Sequence, residues 1–501
     1  MKSLKLKKFL SFSLAAILMF SFVLISCSDN DNNNNNNKNG NAGEPQDISK
    51  DSAGIGETAD ESEYSMIEDR MKVEDNIEDE DMGGIDFKIG VRDNWYYNEV
   101  FIEEETGDIV DDAIYRRNKK IEERFNVKFV PVTSKEPATE ALKTIRSGDD
   151  AYDLIVSGMI SLADLSLTAN TLYDWNTIPT VDLSRPWFLQ DGVKEMAVNN
   201  KLFVVPGEFC LSILWNTYCM YFNKTLIKNY NMEDPYKLVL DGKWTIDKMS
   251  EITRNIYQDL NGNGSSDKED LFGLTTNHWS AVVTYTYSSG MKIMRNNSEG
   301  IPEYSAPNEK IYENFAKVYD LLVNNQGTYA GDWGEDFPIY SDNRSVFHNN
   351  MFSTAIGLRE AEEDFGILPY PKYDESQDKY YTMSDGASAM MAIPTTVKDP
   401  NKIGKITAAL NAESWKTVIP QYYDIALKVK FTRDDESAKI LDMILDGRTF
   451  DFGYIYDNWK GYAFYIQDLV ANKNDGISSW FEKRKGSADN NLEKILASFE
   501  D

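Results

Sequence analysis

The chain has 501 residues, more than the roughly 250–300 residues that a single hydrophobic core supports, so at least two lobes are expected. Its 52 Lys and Arg residues against 82 Asp and Glu residues give a net charge of −30. A surface this acidic repels phosphate backbones, which argues against nucleic-acid binding. Hydrophobic residues make up 42% of the chain and can form a substantial core.

The first 26 residues are typical of a lipoprotein signal peptide. Four lysines precede an apolar run from Phe9 to Ile25, which is short for a membrane-spanning helix and is interrupted by serines. The run ends in Leu24-Ile25-Ser26-Cys27, which resembles the lipobox of bacterial lipoproteins. The resemblance implies that Cys27 is lipidated and that the exported protein is anchored to the outer face of the cell membrane. An uncleaved membrane anchor is the alternative.

Residues 27–84 are expected to be a disordered tether that begins with the lipidated cysteine. Asparagines run without interruption from Asn32 to Asn37, and Glu44–Asp81 holds fifteen acidic residues against three basic ones. Such a segment cannot bury enough apolar area to offset the entropy of ordering it. Beyond it, only Cys210 and Cys219 remain as cysteines, and they either form a disulfide or pack as small hydrophobic side chains.

The body of the chain starts with alternating strand and helix patterns. The predicted elements are strand Ile85–Val91, a helix from Val110 to Phe125, strand Val127–Val132, helix Ala138–Arg146 and strand Tyr152–Val156. A β-α-β-α-β order predicts right-handed crossovers and a parallel sheet. Ligands bind such sheets at the carboxyl ends of the strands.

The later pattern predicts more strands and then helices. The predicted strands are Lys201–Gly207, Tyr218–Leu226 running into a helix, Phe365–Pro371 and Ala387–Pro394. A helix is predicted from about Asn401 to Leu410, and the residues from Trp415 onward are mostly helical by period.

Four segments follow the lipobox in a fixed order: Asn200–Gly207, Met220–Lys224, Gly242–Asp247 and Phe365–Lys372. In order and spacing they resemble the extracellular solute-binding lipoproteins of carbohydrate ABC importers, the maltose-binding-protein-like group. The resemblance implies an α/β, two-lobe periplasmic-binding-protein-like fold with a hinge and a helical C-terminal tail. Lobe 1 would comprise residues 85–208 with a return segment at about 384–430, and lobe 2 residues 209–383 with a C-terminal part at about 431–501.

The same resemblance implies a function in transport. A monomeric protein would capture a sugar or an oligosaccharide between its lobes by hinge closure. It would then deliver that carbohydrate ligand to the transmembrane permease subunits of an ABC importer.

A sugar ring has an apolar C–H face and a rim of hydroxyl groups, so flat aromatic rings and carboxylates are expected to bind it. The candidates in the predicted cleft loops and in the crossing between lobes are Asp93, Trp95, Glu208, Trp215, Trp279, Trp333 and Asp385. The competing interpretation of each tryptophan is core packing, which we favour for Trp244 and Trp415.

Residues 259–270 have the spacing of an EF-hand calcium loop, with glycine at its turn position. The candidate oxygen ligands are Asp259, Asn261, Asn263, Ser265, Asp267 and Asp270. The last position is Asp instead of the longer Glu, and Leu271–Leu274 predicts a strand where a second helix would follow. The sequence therefore predicts a structural Ca²⁺ loop without that helix, and an ordinary polar turn is the alternative.

The sequence favours a binding protein over an enzyme. His278 and His348 are the only histidines, and no Gly-x-Ser-x-Gly, His-Glu-x-x-His or Walker motif occurs. These absences disfavour hydrolases built on Ser-His or zinc-His chemistry. The two-lobe order and the lipobox favour a binding protein, so no catalytic residue or catalytic cofactor is predicted. A lipid-anchored glycosidase is the alternative, since that chemistry needs only two carboxylates.

Overall fold

The computed structural model describes residues 69–358, 364–423, 435–457 and 459–500. The predicted signal peptide, Cys27 and the tether up to residue 68 lie outside these residues. Within the described ranges, no helix combines the length and the apolar character that crossing a membrane requires.

Within these ranges the strands are β1 (Ile85–Arg92), β2 (Val127–Ser134), β3 (Leu154–Gly158), β4 (Tyr218–Asn223), β5 (Tyr257–Gln258), β6 (Leu271–Asn277), β7 (Met294–Asn296), β8 (Pro302–Tyr304), β9 (Thr328–Gly331), β10 (Ser345–Met351), β11 (Phe365–Leu368) and β12 (Ala389–Ala392). The α-helices are α1 (Ile109–Phe125), α2 (Pro137–Ser147), α3 (Met159–Ser166), α4 (Gln190–Met196), α5 (Ser212–Trp215), α6 (Lys224–Asn229), α7 (Pro235–Leu240), α8 (Ile246–Thr253), α9 (Ser280–Ser288), α10 (Glu309–Tyr319), α11 (Asp336–Ser341), α12 (Thr354–Gly357), α13 (Pro400–Glu413), α14 (Asp435–Asp446), α15 (Phe452–Tyr456), α16 (Tyr465–Ala471) and α17 (Ile477–Ser498).

The first sheet has the strand order β12-β3-β1-β2. Strands β1, β2 and β3 are parallel, as the β-α-β-α-β pattern predicts, and β12 joins β3 antiparallel. Helix α1 begins where the Asp108 side chain accepts the N–H of Val110, and it ends at Asn126, which has a φ of +45°. Its buried face includes Ile114, Ile121 and Phe125, at the predicted helical spacing.

The second sheet has the order β11-β4-β10-β6-β5, and β9 also pairs with β6. Strands β6, β9 and β10 are parallel, whereas β4 runs antiparallel to both β10 and β11. Helix α14 packs on β11, and α16 packs on α9 and α17, so most of the helical C-terminal tail belongs with this sheet. Trp244 is fully buried, as predicted, and its indole N–H donates to the Pro369 carbonyl at 3.0 Å.

One expectation for this part of the chain needs correction, and the structure decides between the two alternatives for Cys210 and Cys219. Lys201–Gly207 is not a strand, because its pairing is limited to three isolated bridges, which join Val198 to Lys201, Val205 to Met391 and Phe188 to Gly207. Cys210 and Cys219 are buried free thiols, so they pack as small hydrophobic side chains and form no disulfide with each other.

The last part of the expected tether, residues 69–84, is packed against the domain that contains the first sheet. Met82 is buried, and its N–H donates to the Phe125 carbonyl at 2.9 Å. Arg124 binds the carboxylates of Asp75 and Asp79, and Lys405 binds Glu80 at 2.6 Å. We call residues 69–84 the strap. Sequence composition did not predict its packing, because its basic partners Arg124 and Lys405 lie far from it in the chain.

The strap should respond to pH through Asp75. Burial raises the pKa of Asp75, but the hydrogen bonds from Arg124 and from the Ile77 N–H, with the charges of Arg124 and Lys416, outweigh it, so the net pKa is lowered. A lowered carboxyl pKa contributes stability above its unfolded value of about 4 and loses it as the pH falls through the folded pKa.

We therefore expect Asp75→Asn to lower the free energy of unfolding by about 1 kcal/mol at pH 7 and to have no effect near pH 2. Denaturant titrations at both pH values measure this difference. Asp79→Asn is the matched control, since the Asp79 side chain is 79% exposed. An equal loss from Asp75→Asn at both pH values would contradict the charge pair.

Candidate functional site

Two segments connect the sheets and pair with each other. The first crossing segment, residues 206–217, leads into β4, and the second crossing segment, residues 380–388, leads into β12. An antiparallel bridge joins Thr217 to Ser384, and a second one, just outside the two segments, joins Val205 to Met391 in β12. The carboxyl end of β3 lies beside the second crossing segment, because the Met159 N–H donates to the Ser388 carbonyl at 2.7 Å.

Trp95 and Trp215 come together at these segments, as the predicted site requires. Their ring centroids are 5.4 Å apart, and Trp95 is 50% exposed in spite of its size. Trp95 follows β1, where the Asn94 side chain accepts the Tyr96 N–H and starts a short 3₁₀ turn. Trp215 ends α5 inside the first crossing segment.

Asp385 lies in the second crossing segment beside this aromatic pair. One carboxylate oxygen accepts the Tyr218 hydroxyl at 3.0 Å, and the other accepts the Ala387 N–H at 2.8 Å. The Asp385 N–H donates to the Asn216 carbonyl at 2.9 Å, one residue after Trp215. Burial and the charge of Asp385 raise the pKa of Tyr218 well above its ordinary value, so its hydroxyl remains a donor.

Trp279 and Trp333 lie at one edge of the second sheet. They follow the parallel strands β6 and β9, whose last residues, Asn277 and Gly331, are in register. Trp279 is 49% exposed and Trp333 is 57% exposed. Parallel strands end at the same edge, so both tryptophans lie at the carboxyl end of these strands, the end at which open α/β sheets generally bind ligands.

Tyr454 connects that edge to the second crossing segment. Its hydroxyl lies 3.2 Å from the Ser280 hydroxyl, directly after Trp279, and accepts the Gly386 N–H at 2.9 Å. Trp459 is a further half-exposed aromatic residue, stacked on Phe464 with ring centroids 3.9 Å apart. The sequence did not predict Tyr454 and Trp459 as site residues. The other candidates lie in predicted cleft loops or in the crossing between lobes, whereas the C-terminal tail has a helical pattern.

Asp93 and Glu208 are placed differently from the other candidates. Asp93 is exposed next to Trp95, and its N–H donates to the Ser134 carbonyl at 3.0 Å. Burial raises the pKa of Glu208, while the positive charges of Arg448 and Arg70 oppose that rise. Among the described residues, no hydrogen bond or ring contact links Glu208 to the Trp95–Trp215 pair.

Buried charges fix the start of α5. The Glu99 carboxylate accepts the Ser212 N–H at 2.7 Å, and Arg117 donates to the carbonyl of Val100 at 3.0 Å. Burial raises the pKa of Glu99, although the charges of Arg92 and Arg117 oppose the shift. These contacts hold the Trp215 helix against the loops that follow β1.

The predicted calcium loop curls around its own side chains. The Asp259 carboxylate accepts the N–H groups of Gly262 and Gly264, both of which have a φ of +72°. Asp270 is fully buried and accepts the Tyr257 hydroxyl at 3.0 Å. Nowhere in the described ranges do three Asp, Glu, His or Cys side chains converge to hold a metal ion. A cation at this loop would therefore need amide and backbone oxygens in addition to a carboxylate such as that of Asp259.

No protein-family model matches the chain, and neither does any curated protein. Several solved structures are similar to this chain. The GacH receptor of Streptomyces glaucescens GLA.O, solved unliganded and with acarbose, is 13% identical with a TM-score of 0.51, over 83% of this chain and 99% of that one. The ABC substrate-binding protein Lmo0181 of Listeria monocytogenes, solved with cycloalternan, is 11% identical with a TM-score of 0.50, over 83% and 99%.

RafE of Streptococcus pneumoniae, in its apo form, is 13% identical with a TM-score of 0.51, over 83% of this chain and 97% of that one. At such low identities the likeness concerns the fold. The chain has the two-lobe architecture of solute-binding proteins, which confirms the predicted fold class.

Proposed function

We propose that this protein captures a sugar or an oligosaccharide between its two lobes and passes it, chemically unaltered, to the permease of an ABC importer. The observation that supports this most is the half-exposed Trp95 ring paired with Trp215 beside Asp385, at the segments that join the two sheets. Single exposed hydrophobic residues are common on protein surfaces, but adjacent apolar rings that are at least partly exposed, as in this pair, are typical of binding sites.

In this proposal each sheet supplies part of the ligand contact. Trp95 and Trp215 stack on a sugar ring from the side of the first sheet, and Trp279 and Trp333 do so from the second. Asp385, with Asp93, accepts hydroxyl hydrogen bonds. Only a closed form touches the ligand with both lobes, so binding shifts the population toward closure. Glu208 is left out of this ligand set because its charged neighbours are Arg448 and Arg70.

The partners follow from the same proposal. Acarbose and cycloalternan are bound by the similar proteins GacH and Lmo0181, which supports a carbohydrate ligand for this chain. Lipidation at Cys27 would keep the monomer at the outer face of the cell membrane, close to the transmembrane subunits that receive the ligand.

A glycan screen tests the proposal. Purified protein is titrated with mono- and oligosaccharides while tryptophan fluorescence and calorimetric heat are recorded, and reducing ends are assayed afterwards. We expect saturable binding of at least one glycan without turnover. Release of new reducing ends would favour the glycosidase alternative, and an absence of binding across neutral, acidic and amino sugars would contradict a carbohydrate ligand.

For the loop at residues 259–270 we propose a structural Ca²⁺ with an affinity of roughly 10⁻⁴–10⁻³ M, as in other extracellular modules. The two left-handed glycines, Gly262 and Gly264, and the Asp259 carboxylate support a loop that can wrap a cation. The tie between Asp270 and Tyr257 fixes the base of the loop.

At 10 mM Ca²⁺ the proposed affinity corresponds to about 1.4–2.7 kcal/mol of stabilisation, so the thermal midpoint should rise by about 2 °C or more relative to protein in chelator. Asp259→Asn should remove that rise because it takes away the carboxylate charge, and its single amide oxygen can keep only one of the two hydrogen bonds from the glycine N–H groups. A midpoint that does not respond to Ca²⁺ or to chelator would contradict the calcium site and would favour an ordinary polar turn.

A further inference from the structure

Tyr96 lies between Trp95 and Arg92. The Trp95 ring centroid is 3.9 Å from the Tyr96 centroid at an interplanar angle of 30°, and the Arg92 guanidinium carbon is 3.3 Å from the same centroid. An indole and a guanidinium cannot both occupy one face of a phenol ring at these distances. They therefore use opposite faces, and the Trp95 platform rests on a ring that is itself only 8% exposed.

The edge of the Tyr96 ring reaches the first crossing segment. Its hydroxyl oxygen accepts a hydrogen bond from Nδ2 of Asn216 at 3.0 Å. Burial raises the pKa of Tyr96 to about 12, so the hydroxyl stays neutral at physiological pH. Asn216 is 1% exposed, and it directly follows Trp215.

Asn216 and Arg92 both form hydrogen bonds with the second crossing segment. Nδ2 of Asn216 also donates to the Ser388 hydroxyl at 3.3 Å, and its main-chain carbonyl accepts the Asp385 N–H at 2.9 Å. Nη2 of Arg92 donates to the Ala387 carbonyl at 2.7 Å. One ring, that of Tyr96, is therefore connected to Trp95 and to both crossing segments.

We propose that Tyr96 and Asn216 are positioning residues that couple the Trp95 platform to the two crossing segments, so that Trp95 and the hinge move as one unit. This inference rests on the proposed function, because it makes the platform for the ligand part of the hinge. A sugar ring that stacks on Trp95 binds best when the platform is held in place. Ligand binding therefore favours the arrangement of the crossing segments that holds it there.

Tyr96→Phe tests the coupling because it removes one oxygen and leaves both ring contacts. Hydrogen exchange of the ligand-free protein, followed by mass spectrometry, reports the opening of the peptide that contains the Asp385 N–H. We expect exchange there to become about five-fold faster, which corresponds to roughly 1 kcal/mol, the net contribution of one hydrogen bond. A peptide from β2 should exchange at the wild-type rate, whereas a purely structural role for the hydroxyl would accelerate both.

Tyr97→Phe is the matched control, since it removes the same atom one residue later from a ring that stacks on Phe101. It should leave the Asp385 peptide unchanged. Asn216→Leu removes the same hydrogen bond from its other end and gives a second route to the result if Tyr96→Phe does not fold.

A double-mutant cycle shows whether Trp95 itself is coupled. Trp95→Ala should accelerate exchange of the Asp385 peptide in the wild-type background and have little further effect in the Tyr96→Phe background. Equal effects in both backgrounds, or unchanged exchange in Tyr96→Phe, would overturn the proposal. All of these measurements are made without ligand, so failure of the coupling leaves carbohydrate binding standing, and failure of the glycan screen leaves the coupling standing.

Discussion

Trp95→Ala is expected to weaken carbohydrate binding by roughly 30-fold, or about 2 kcal/mol, as truncation of a central aromatic contact does at other binding sites. The Trp95 ring stacks on Tyr96 and is still half exposed, so part of its surface is accessible to a sugar. Removing it takes away the flat apolar surface but leaves the Asp385 carboxylate as an acceptor for sugar hydroxyl groups. Calorimetry with a glycan identified by the screen measures the loss.

Two further variants test whether the loss of affinity is specific to the Trp95 ring. Trp95→Phe keeps a flat ring and should lose only a few-fold in affinity. Trp415→Phe changes a tryptophan that packs 6.3 Å from Trp187, and it should bind as the wild type does. Wild-type affinity in Trp95→Ala would show that Trp95 does not contact the ligand.

Gly207→Ala is expected to lower the free energy of unfolding by about 2–4 kcal/mol, because the first crossing segment has no space for a methyl group at that position. A Cβ on Gly207 would lie 2.1 Å from Oδ1 of Asn411 and 2.8 Å from the Met391 methyl carbon. Asn411 is fully buried, and the same Oδ1 accepts the Phe209 N–H at 3.0 Å. Any shift that relieves the clash therefore breaks a buried hydrogen bond.

Gly486→Ala is the matched control for this substitution. Gly486 lies inside α17, where a Cβ would meet no heavy atom within 4 Å. Alanine there should raise the free energy of unfolding by about 0.5–1 kcal/mol, because glycine is a poor helix residue. Denaturant titrations of both variants measure the two effects, and a loss of less than 0.5 kcal/mol in Gly207→Ala would contradict the tight packing of the first crossing segment.

The local pattern was sufficient to predict the first sheet. Alternating apolar residues in β1, helical spacing in α1 and the stop at Asn126 all act within a few residues, and each agrees with the structure. Lys201–Gly207 has the composition of a strand, but Val205 meets β12 at a single bridge and Pro206 has no N–H to extend the pairing. Whether this apolar run forms a strand depends on its pairing with β12, which lies far away in the sequence.

The strap illustrates the same limit. Composition alone predicts that residues 69–84 are disordered, because Arg70 and Lys72 are too few to offset the acidic residues of this segment. Arg124 and Lys405 bind those acidic side chains only after the fold has formed. The sequence shows which residues are charged, but it does not show which of them lie close together in the folded protein.

For the candidate site, the exposed tryptophans at strand ends could be predicted from residue type and position. Trp95, Trp279 and Trp333 are all about half exposed in the structure. The residues that connect them could not be predicted, since Tyr96 meets Asn216 across 120 positions of the chain and Gly386 meets Tyr454 across 68. Such pairs leave no periodic pattern in the sequence.

The central claim is that a carbohydrate is held between two lobes that close on it. Small-angle scattering, with and without a saturating glycan identified by the binding screen, tests this most directly. We predict a smaller radius of gyration with the glycan bound and a return to the larger value when the glycan is removed. Superimposable scattering profiles at saturation would contradict capture between closing lobes.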